Sequence, residues 1–182
     1  VTAPINKESI QSKNFSFIGH TDYLNENIEG SSVMMMVSES LRVALLSEHL
    51  SLSKVASSIT KNLVESRTKS IHKTLQLDFN IHEPKIAMLS IDPHAGDNGV
   101  IGNIDNMVLV PCIRSMRKKG IMVNGPFPAD SFFGAMKYKE FDAVIATYHD
   151  QGLIPFKTLS FGKGVNFTSG LKYVRTSPDH GT

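Results

Sequence analysis

The stretch "AVIATYHDQG", residues 143–152, is an apolar run that ends abruptly at a histidine followed by an acid. A short run of this apolar character predicts a buried strand. His149 and Asp150 are costly to bury without partners, so we expect the chain to leave the sheet here and present both groups to a cleft. The functional site is therefore expected at the carboxyl end of this strand.

The same arrangement recurs at three other places in the chain. "SFIGHTD" reaches His20, "RVALLSEH" reaches His49 and "AMLSIDPH" reaches His94, each after a short hydrophobic stretch. In open α/β sheets, ligands bind in the crevice outside the carboxyl ends of the strands. We therefore expect these histidines to converge on one edge of one sheet.

Hydrophobic runs alternate with segments of helical periodicity along the chain. Predicted strands cover 15–20, 33–38, 41–47, 85–91, 121–126 and 142–148. Predicted helices cover 51–77, 103–120 and 129–141, the second with a kink at Pro111 and closed by Gly120. Residues 153–182 are expected to form short strands and Gly-rich turns. This order predicts an α/β fold with a mostly parallel sheet and flanking helices.

Composition narrows the class of protein. The 182 residues are 41% hydrophobic and 20% charged, as in ordinary globular proteins, and the net charge of +2 argues against a nucleic-acid-binding protein. No apolar run approaches a membrane span, no secretory signal is visible, and the single Cys112, expected in the core, excludes an internal disulfide. We expect a cytoplasmic protein, and both ends of the chain resemble cuts through a longer one.

Three of these histidines are candidate metal ligands. Neutral imidazoles with carboxylates nearby suit Zn²⁺ and other divalent metals, which makes His49, His94 and His149 candidates, with Asp130 and Asp150 as further ligands or orienting groups. Their spacings of 45 and 55 residues match no compact zinc motif, so the hypothesis depends on their shared position after strands. A histidine at a single strand end is more often a hydrogen-bonded loop residue than a metal ligand, and it is the recurrence at three strand ends that favours a metal site. His72 and His82 are expected to be solvated.

Two glycine-bearing loops suggest ligand contacts. "DPHAGDNGVIGN" (92–103) leads from a strand into a helix, and Gly96 and Gly99 permit a tight turn there. "FGKGVNFTSG" (161–170) matches neither common phosphate-binding glycine pattern. The polar side chains of this half nevertheless suit a phosphate or carboxylate ligand. They are Lys157, Lys163, Asn166 and Arg175.

Together these motifs resemble those of the 4-hydroxythreonine-4-phosphate dehydrogenase family of pyridoxal phosphate biosynthesis. The resemblance runs from about residue 15 to the end. It is carried by "IGHTDYL", "LRVALLSEHLSL", "DPHAGDNGVIGNID", "GPFPADSFF", "ATYHDQGLIPFK", "FGKGVNFTSGL" and "VRTSPDHGT". It implies an isocitrate/isopropylmalate dehydrogenase-like fold of two α/β domains around a cleft. It also implies a homodimer whose active site lies at the subunit interface. Asp22, Asp92 and Asp97 depart from the residues usual in the family.

The resemblance also implies roles for individual residues. His49, His94 and His149 match metal ligands for zinc, or magnesium or cobalt. The positions that match substrate contacts are His20, Thr21, Lys157, Asn166 and Arg175. Asp130 or Asp150 is expected to act as the base. Residues 1–20 are expected to be a remnant of the first domain, 21–150 the metal and substrate domain, and 151–182 a return segment.

The expected reaction is NAD-dependent, metal-assisted oxidation and decarboxylation of 4-phosphooxy-L-threonine to 3-amino-2-oxopropyl phosphate. Because most of the first domain and of the NAD site is missing, these residues alone are expected to be inactive. Three alternatives stay open. The protein could be a paralogue for threonate or erythronate 4-phosphate, a metal-dependent hydrolase, or a metal-binding or dimerisation module without catalytic activity.

Overall fold

A single mixed sheet of seven strands organises the part of the chain that the structure describes. The computed structural model describes Val1, Thr2, Ser12, Tyr23, Asn27, 30–160 and 162–178. The strands are β1 (Gly30–Val37), β2 (Arg42–Leu45), β3 (Ile86–Leu89), β4 (Val123–Phe127), β5 (Ala143–Ala146), β6 (Val165–Leu171) and β7 (Arg175–Pro178). The helices are α1 (Leu52–Ser58), α2 (Lys61–Leu77), α3 (Val110–Lys118), α4 (Ala129–Gly134) and α5 (His149–Ser160).

The sheet has a parallel half and an antiparallel half. Its order is β4-β3-β5-β2-β1-β6-β7, and β4, β3, β5 and β2 are parallel to one another. β1 is antiparallel to β2 and β6, and β7 is antiparallel to β6. The α/β fold with flanking helices is therefore confirmed. The antiparallel pairing of β1 with β2 follows from their short connection, closed by the Ser38 N–H donating to the Leu41 carbonyl at 2.9 Å.

Two hydrophobic cores lie on opposite faces of the sheet. One contains Val64, Ile71 and Leu75 of α2 with Leu109, Cys112 and Met116 from the α3 region. The other contains Leu153 and Phe156 of α5 with Phe132 of α4. Cys112 is 1% exposed, as expected for a core thiol. Among the described residues, no helix has the length and hydropathy needed to cross a membrane.

The predicted long helix over 51–77 is wrong, because the chain forms two helices there. α1 ends at Ser58, and α2 begins at Lys61 after a break at Ile59 and Thr60. The Ser58 hydroxyl donates to the Val55 carbonyl, and the Thr60 hydroxyl accepts from the Leu63 N–H as the N-cap of α2. Such local side-chain bonds to the backbone compete with continuous helix formation.

The expectation of only short strands and turns after residue 153 is also wrong, because α5 occupies 149–160. Gly152 and Pro155 inside the segment oppose a helix by intrinsic propensity. Leu153 and Phe156, however, are buried against the sheet, and tertiary packing of an apolar face supplies most of a helix's stability in proteins. The strands expected in the remaining residues are present as β6 and β7.

The other described elements follow the predictions. The helix expected over 103–120 begins as a wide π turn at Asp105–Leu109, continues as α3 and ends before Gly120, whose φ is +82°. Pro111 cannot donate a backbone hydrogen bond, which accounts for the widened turn before it. The strand predicted at 15–20 lies outside the described residues.

Candidate metal and substrate site

The loops that carry His49, His94 and His149 leave the sheet at one edge. They follow β2, β3 and β5, which are parallel and stand in the order β3-β5-β2. Hydrogen bonds between the two chain segments continue beyond the last paired residues of β2 and β5. The Leu46 N–H donates to the Ala146 carbonyl at 2.8 Å. The Ser47 hydroxyl donates to the Thr147 carbonyl at the same distance, 2.8 Å. The predicted convergence at one sheet edge is confirmed for these three loops.

His49 and His149 form a pair of adjacent imidazoles. Their ring centroids are 5.7 Å apart and their planes are tilted by 42°. Both rings line a cavity of about 430 Å³. The other residues lining it are Glu48, Leu50, Leu52, Val55, Tyr148 and Asp150. The cavity therefore combines nitrogen and carboxylate donors with an apolar wall.

Asp150 holds the ring of His149 in place. The His149 Nδ1–H donates to Asp150 Oδ1 at 2.7 Å, where His149 is half-buried and Asp150 is exposed. A carboxylate on one ring nitrogen fixes the tautomer and leaves Nε2 with its lone pair. Metal-binding histidines commonly have this arrangement. In this structure Asp150 therefore orients His149.

A second ion pair, between Glu48 and Arg67, involves the residue directly before His49 in the same loop. Glu48 Oε1 accepts from Arg67 Nη1 at 2.7 Å and from the Met34 N–H at 3.1 Å. Arg67 Nη1 also donates to the Leu45 carbonyl at the end of β2, 3.0 Å away. Because Arg67 comes from α2, the helix and the strand end are tied together just before His49.

The loop after β3 has an unusual backbone. Six consecutive residues from His94 to Gly99 have φ between +44° and +97°, the left-handed region. Such a conformation costs L-amino acids roughly 1–2 kcal/mol per residue and is typical of functional sites. Gly96 and Gly99 belong to the segment, which confirms the tight turn expected from them. Gly96 is also packed so closely that a Cβ there would lie 2.3 Å from the Gly102 carbonyl oxygen.

Asp105, which sequence reasoning missed, anchors this loop. Its side chain is 1% exposed, and its two carboxylate oxygens accept from the Ile91 and Asp92 N–H groups at 3.0 Å each. The available signal was its place on the buried face of a predicted helix, four residues before Leu109 and seven before Cys112. An acid on such a face indicates a specific buried partner.

Burial raises the pKa of Asp105, the nearby Asp92 adds to this rise, and the two backbone hydrogen bonds oppose it. Because the folded-state pKa exceeds the unfolded one, folding favours the protonated carboxyl. The contribution to stability is complete below the unfolded pKa and is lost as the pH rises through the folded pKa.

We therefore expect wild type to lose stability relative to Asp105→Asn as the pH rises from about 4. Urea unfolding of both proteins across the acid and neutral range measures this difference. A difference in unfolding free energy that does not change with pH would contradict it. The constant offset between the two proteins, from the altered hydrogen bonds, does not enter the test.

The described residues of one chain do not form a complete metal site. Among residues 30–160 and 162–178 and the few others described, no group of three or more His, Cys, Asp or Glu side chains is close enough to hold an ion. His49 and His149 come together, whereas His94 projects from the exposed left-handed loop. The described residues therefore place two imidazoles side by side, without a third His, Cys, Asp or Glu side chain close enough to complete a metal site.

A second group of polar side chains lies on the face of the sheet that α5 covers. Asn166 pairs with Ser177 and Thr168 with Arg175 across β6 and β7, so Asn166 and Arg175 share a face. Met36, opposite Asn166 in β1, belongs to the core beneath α5, which identifies that face. Lys157 is half-buried on α5 itself.

Arg175 and Asn166 both carry features of a ligand site. The Arg175 guanidinium donates to the hydroxyls of Thr2 and Thr168, and burial lowers its pKa. None of the ion pairs among the described residues involves this guanidinium. Asn166 Oδ1 is buried and has no hydrogen-bond partner among the described residues. A half-buried cation and an unsatisfied acceptor on the same sheet face suit a ligand with an anionic group and a donor.

No described contact places the remaining predicted residues next to the histidine pair or next to Arg175 and Asn166. Asp130 is exposed in the first turn of α4, and Lys163 is exposed before β6. His20 and Thr21 lie outside the described residues. His82 is exposed as expected, but the expectation that His72 is solvated is wrong, because it is half-buried and burial lowers its pKa.

Comparison with known proteins identifies the relatives of the chain. It is 47% identical over its whole length to 4-hydroxythreonine-4-phosphate dehydrogenase of Bacteroides thetaiotaomicron and 44% identical to that of a Sulfurihydrogenibium species. It covers 50% and 56% of those proteins, so it spans about half the length of these curated relatives.

Solved structures give the same result. The crystal structure of 4-hydroxythreonine-4-phosphate dehydrogenase from Klebsiella pneumoniae matches with a TM-score of 0.88 and 36% identity. The match covers 98% of this chain and 55% of that one. The family model described as pyridoxal phosphate biosynthetic protein PdxA matches residues 1–182. The chain therefore belongs to the PdxA family of pyridoxal phosphate biosynthetic proteins.

Proposed function

We propose that the full-length protein oxidises and decarboxylates 4-phosphooxy-L-threonine to 3-amino-2-oxopropyl phosphate, with NAD⁺ as the hydride acceptor and with a divalent metal. The observation that carries the proposal is the pair of imidazoles of His49 and His149, with Asp150 orienting the second ring. The names of the relatives support the reaction class. The half-buried Arg175 supports an anionic substrate.

His49 and His149 would hold the metal, with His94 as the third ligand. Because the described part of one chain does not gather three ligands, we propose that a second copy of the chain completes the site. The apolar side chains beside the histidine loops support this, since Leu52 is 72% exposed and Val100 is 83% exposed. A bound Zn²⁺, Mg²⁺ or Co²⁺ would supply Lewis acidity, which lowers the pKa of a hydroxyl and stabilises negative charge on oxygen.

Arg175, Lys157 and Asn166 would bind the substrate. The two cations suit its phosphate and carboxylate groups, and the buried Asn166 Oδ1 can accept from its ammonium or hydroxyl group. Binding energy from these remote groups orients the reacting carbon. His20 and Thr21 belong to the same proposed set.

The reaction needs one proton transfer and one hydride transfer before carbon dioxide leaves. The base takes the proton of the C3 hydroxyl while the C3 hydrogen leaves as hydride to NAD⁺, which gives a β-keto acid and NADH. Loss of CO₂ leaves its electron pair as an enolate, which is then protonated at carbon. Asp150 or Asp130 would act as the base, and Asp150 already lies beside the proposed metal ligands as the acceptor of the His149 Nδ1–H. No described residue is assigned to NAD⁺, because no dinucleotide-binding glycine pattern is present.

Replacing Arg175 by alanine is expected to raise KM about 10- to 100-fold with a smaller change in kcat. The reason is that a charge-assisted hydrogen bond to the substrate contributes about 1.5–3 kcal/mol of binding. Steady-state kinetics of the full-length protein measure the effect. Lys172→Ala, at an exposed position before β7, is the control and should leave KM unchanged. An unchanged KM in Arg175→Ala would remove the anchoring role.

One experiment separates the proposed function from its rivals. The full-length protein is incubated with NAD⁺ and either 4-phosphooxy-L-threonine, threonate 4-phosphate or erythronate 4-phosphate, with and without added zinc. NADH formation with the first substrate supports the proposal, and preference for another identifies a paralogue. Release of phosphate without NADH would favour a metal-dependent hydrolase, and zinc binding without any turnover a module without catalytic activity.

A further inference from the structure

We infer that Gln151 is a positioning residue that sets where the His94 loop lies relative to His149. The inference rests on the proposed function, because it concerns the histidines assigned there to the metal. Gln151 is half-buried in the first turn of α5, two residues after His149. Its side-chain amide bonds to the ends of two neighbouring strands.

The amide of Gln151 continues the sheet where the backbone ladder stops. The last registered pair between β3 and β5 is Met88 with Ile145. Beyond it, Gln151 Oε1 accepts from the Thr147 N–H at 2.7 Å and from the Thr147 hydroxyl at 2.9 Å. Gln151 Nε2 donates to the Ser90 carbonyl at 2.6 Å. The planar amide of Gln151 therefore links Thr147 to Ser90 at the position where the backbone ladder between β5 and β3 would continue.

These bonds are directly upstream of both histidines. Thr147 is two residues before His149, and Ser90 is four residues before His94. The link requires a group that donates and accepts at once, which an amide can do and a hydrocarbon side chain cannot. Without it, the Ser90 carbonyl and the Thr147 N–H lose their side-chain partner.

The other flank of β5 does not depend on Gln151. There the Leu46 and Ser47 N–H groups donate to the Ala146 and Thr147 carbonyls at 2.8 and 3.2 Å. Loss of the amide is therefore expected to displace the His94 loop while the His49–His149 pair stays in place. This difference between the histidines distinguishes positioning from a general loss of stability.

The test is Gln151→Met in the full-length protein, which keeps the side-chain length and removes all three hydrogen bonds. In metal-free protein labelled with ¹⁵N-histidine, the His94 imidazole signals are expected to shift while those of His49 stay unchanged. Titration with Zn²⁺ is expected to show a loss of affinity of about 10- to 100-fold, as for other groups that orient metal ligands. Gln76→Met is the matched control, because Gln76 Nε2 also donates to a loop carbonyl, that of His82, far from the site.

If Gln151→Met fails to fold, Gln151→Glu replaces it, since a carboxylate keeps the acceptor for Thr147 and loses only the donor to Ser90. His94 signals identical to wild type in a folded variant would overturn the inference, as would equal shifts of the His94 and His49 signals. Wild-type protein that binds no Zn²⁺ would overturn the proposed metal site instead. The signals of the metal-free variants would still decide the role of Gln151.

Discussion

Replacing His149 by alanine in the full-length protein is expected to lower kcat/KM by about 10³-fold or more and to abolish retention of the metal. A metal that stabilises developing charge contributes several kcal/mol to the transition state, and each 1.36 kcal/mol is a factor of ten in rate. His149 contributes one ring of the imidazole pair, and the Asp150 carboxylate accepts a hydrogen bond from that ring. Its loss removes one of the two imidazoles that line the cavity.

Kinetics and metal analysis of the same purified protein check this result. His94→Ala is expected to behave like His149→Ala, because both histidines are assigned to one metal. His82→Ala is the control, since His82 is exposed in the turn after α2 and its contact to Gln76 uses the backbone carbonyl. Full turnover with stoichiometric metal in either ligand variant would remove the basis of the assignment.

Gly96→Ala is expected to destabilise the protein by about 2–4 kcal/mol and to reduce turnover at least about 10²-fold. The backbone at Gly96 has φ +79°, where a side chain is strained, and a Cβ would lie 2.3 Å from the Gly102 carbonyl oxygen. A backbone atom cannot move aside as the end of a side chain can. The left-handed turn that carries His94 therefore has to rearrange.

Gly120→Ala separates strain from steric overlap. Gly120 has a similar φ of +82°, but no atom lies within 4 Å of the position of a Cβ. It should cost about 1–2 kcal/mol from the backbone alone and leave turnover unchanged. Urea unfolding and steady-state kinetics of both variants make the comparison. Equal losses of stability, with Gly96→Ala still fully active, would show that the packing of Gly96 against Gly102 is unimportant.

The sequence predicted which loops meet but not how closely. Histidines after parallel strands lie at one edge, because the carboxyl ends of neighbouring parallel strands coincide. The order β3-β5-β2 places the His149 loop between the other two histidine loops. His49 and His149 are the residues whose rings come together, whereas His94 lies exposed on the left-handed loop. Strand order brings the loops together and the path of each loop decides which rings meet, and residue patterns along one chain contain neither.

Local propensity was a weaker guide than burial. The segment containing Gly152 and Pro155 forms α5 because Leu153 and Phe156 pack against the sheet. A Cβ at position 152 would lie 2.7 Å from Val43 Cγ1, so glycine allows α5 to approach the strands closely. The helix forms through contacts with strands far away in the sequence.

From its own residues, the sequence determined the α/β class, most strand and helix positions and the glycines of the tight turns, since these depend on periodicity and local chemistry. Its motifs separately carry the resemblance to the family. Only the tertiary structure decided that Asp105 holds the Ile91 and Asp92 N–H groups and that Gln151 joins Thr147 to Ser90. Those hydrogen bonds link residues brought together by folding, and their partners are backbone groups that carry no residue-specific signal. The hydrogen bonds that hold the histidine loops could therefore not be predicted from the sequence and are given only by the folded structure.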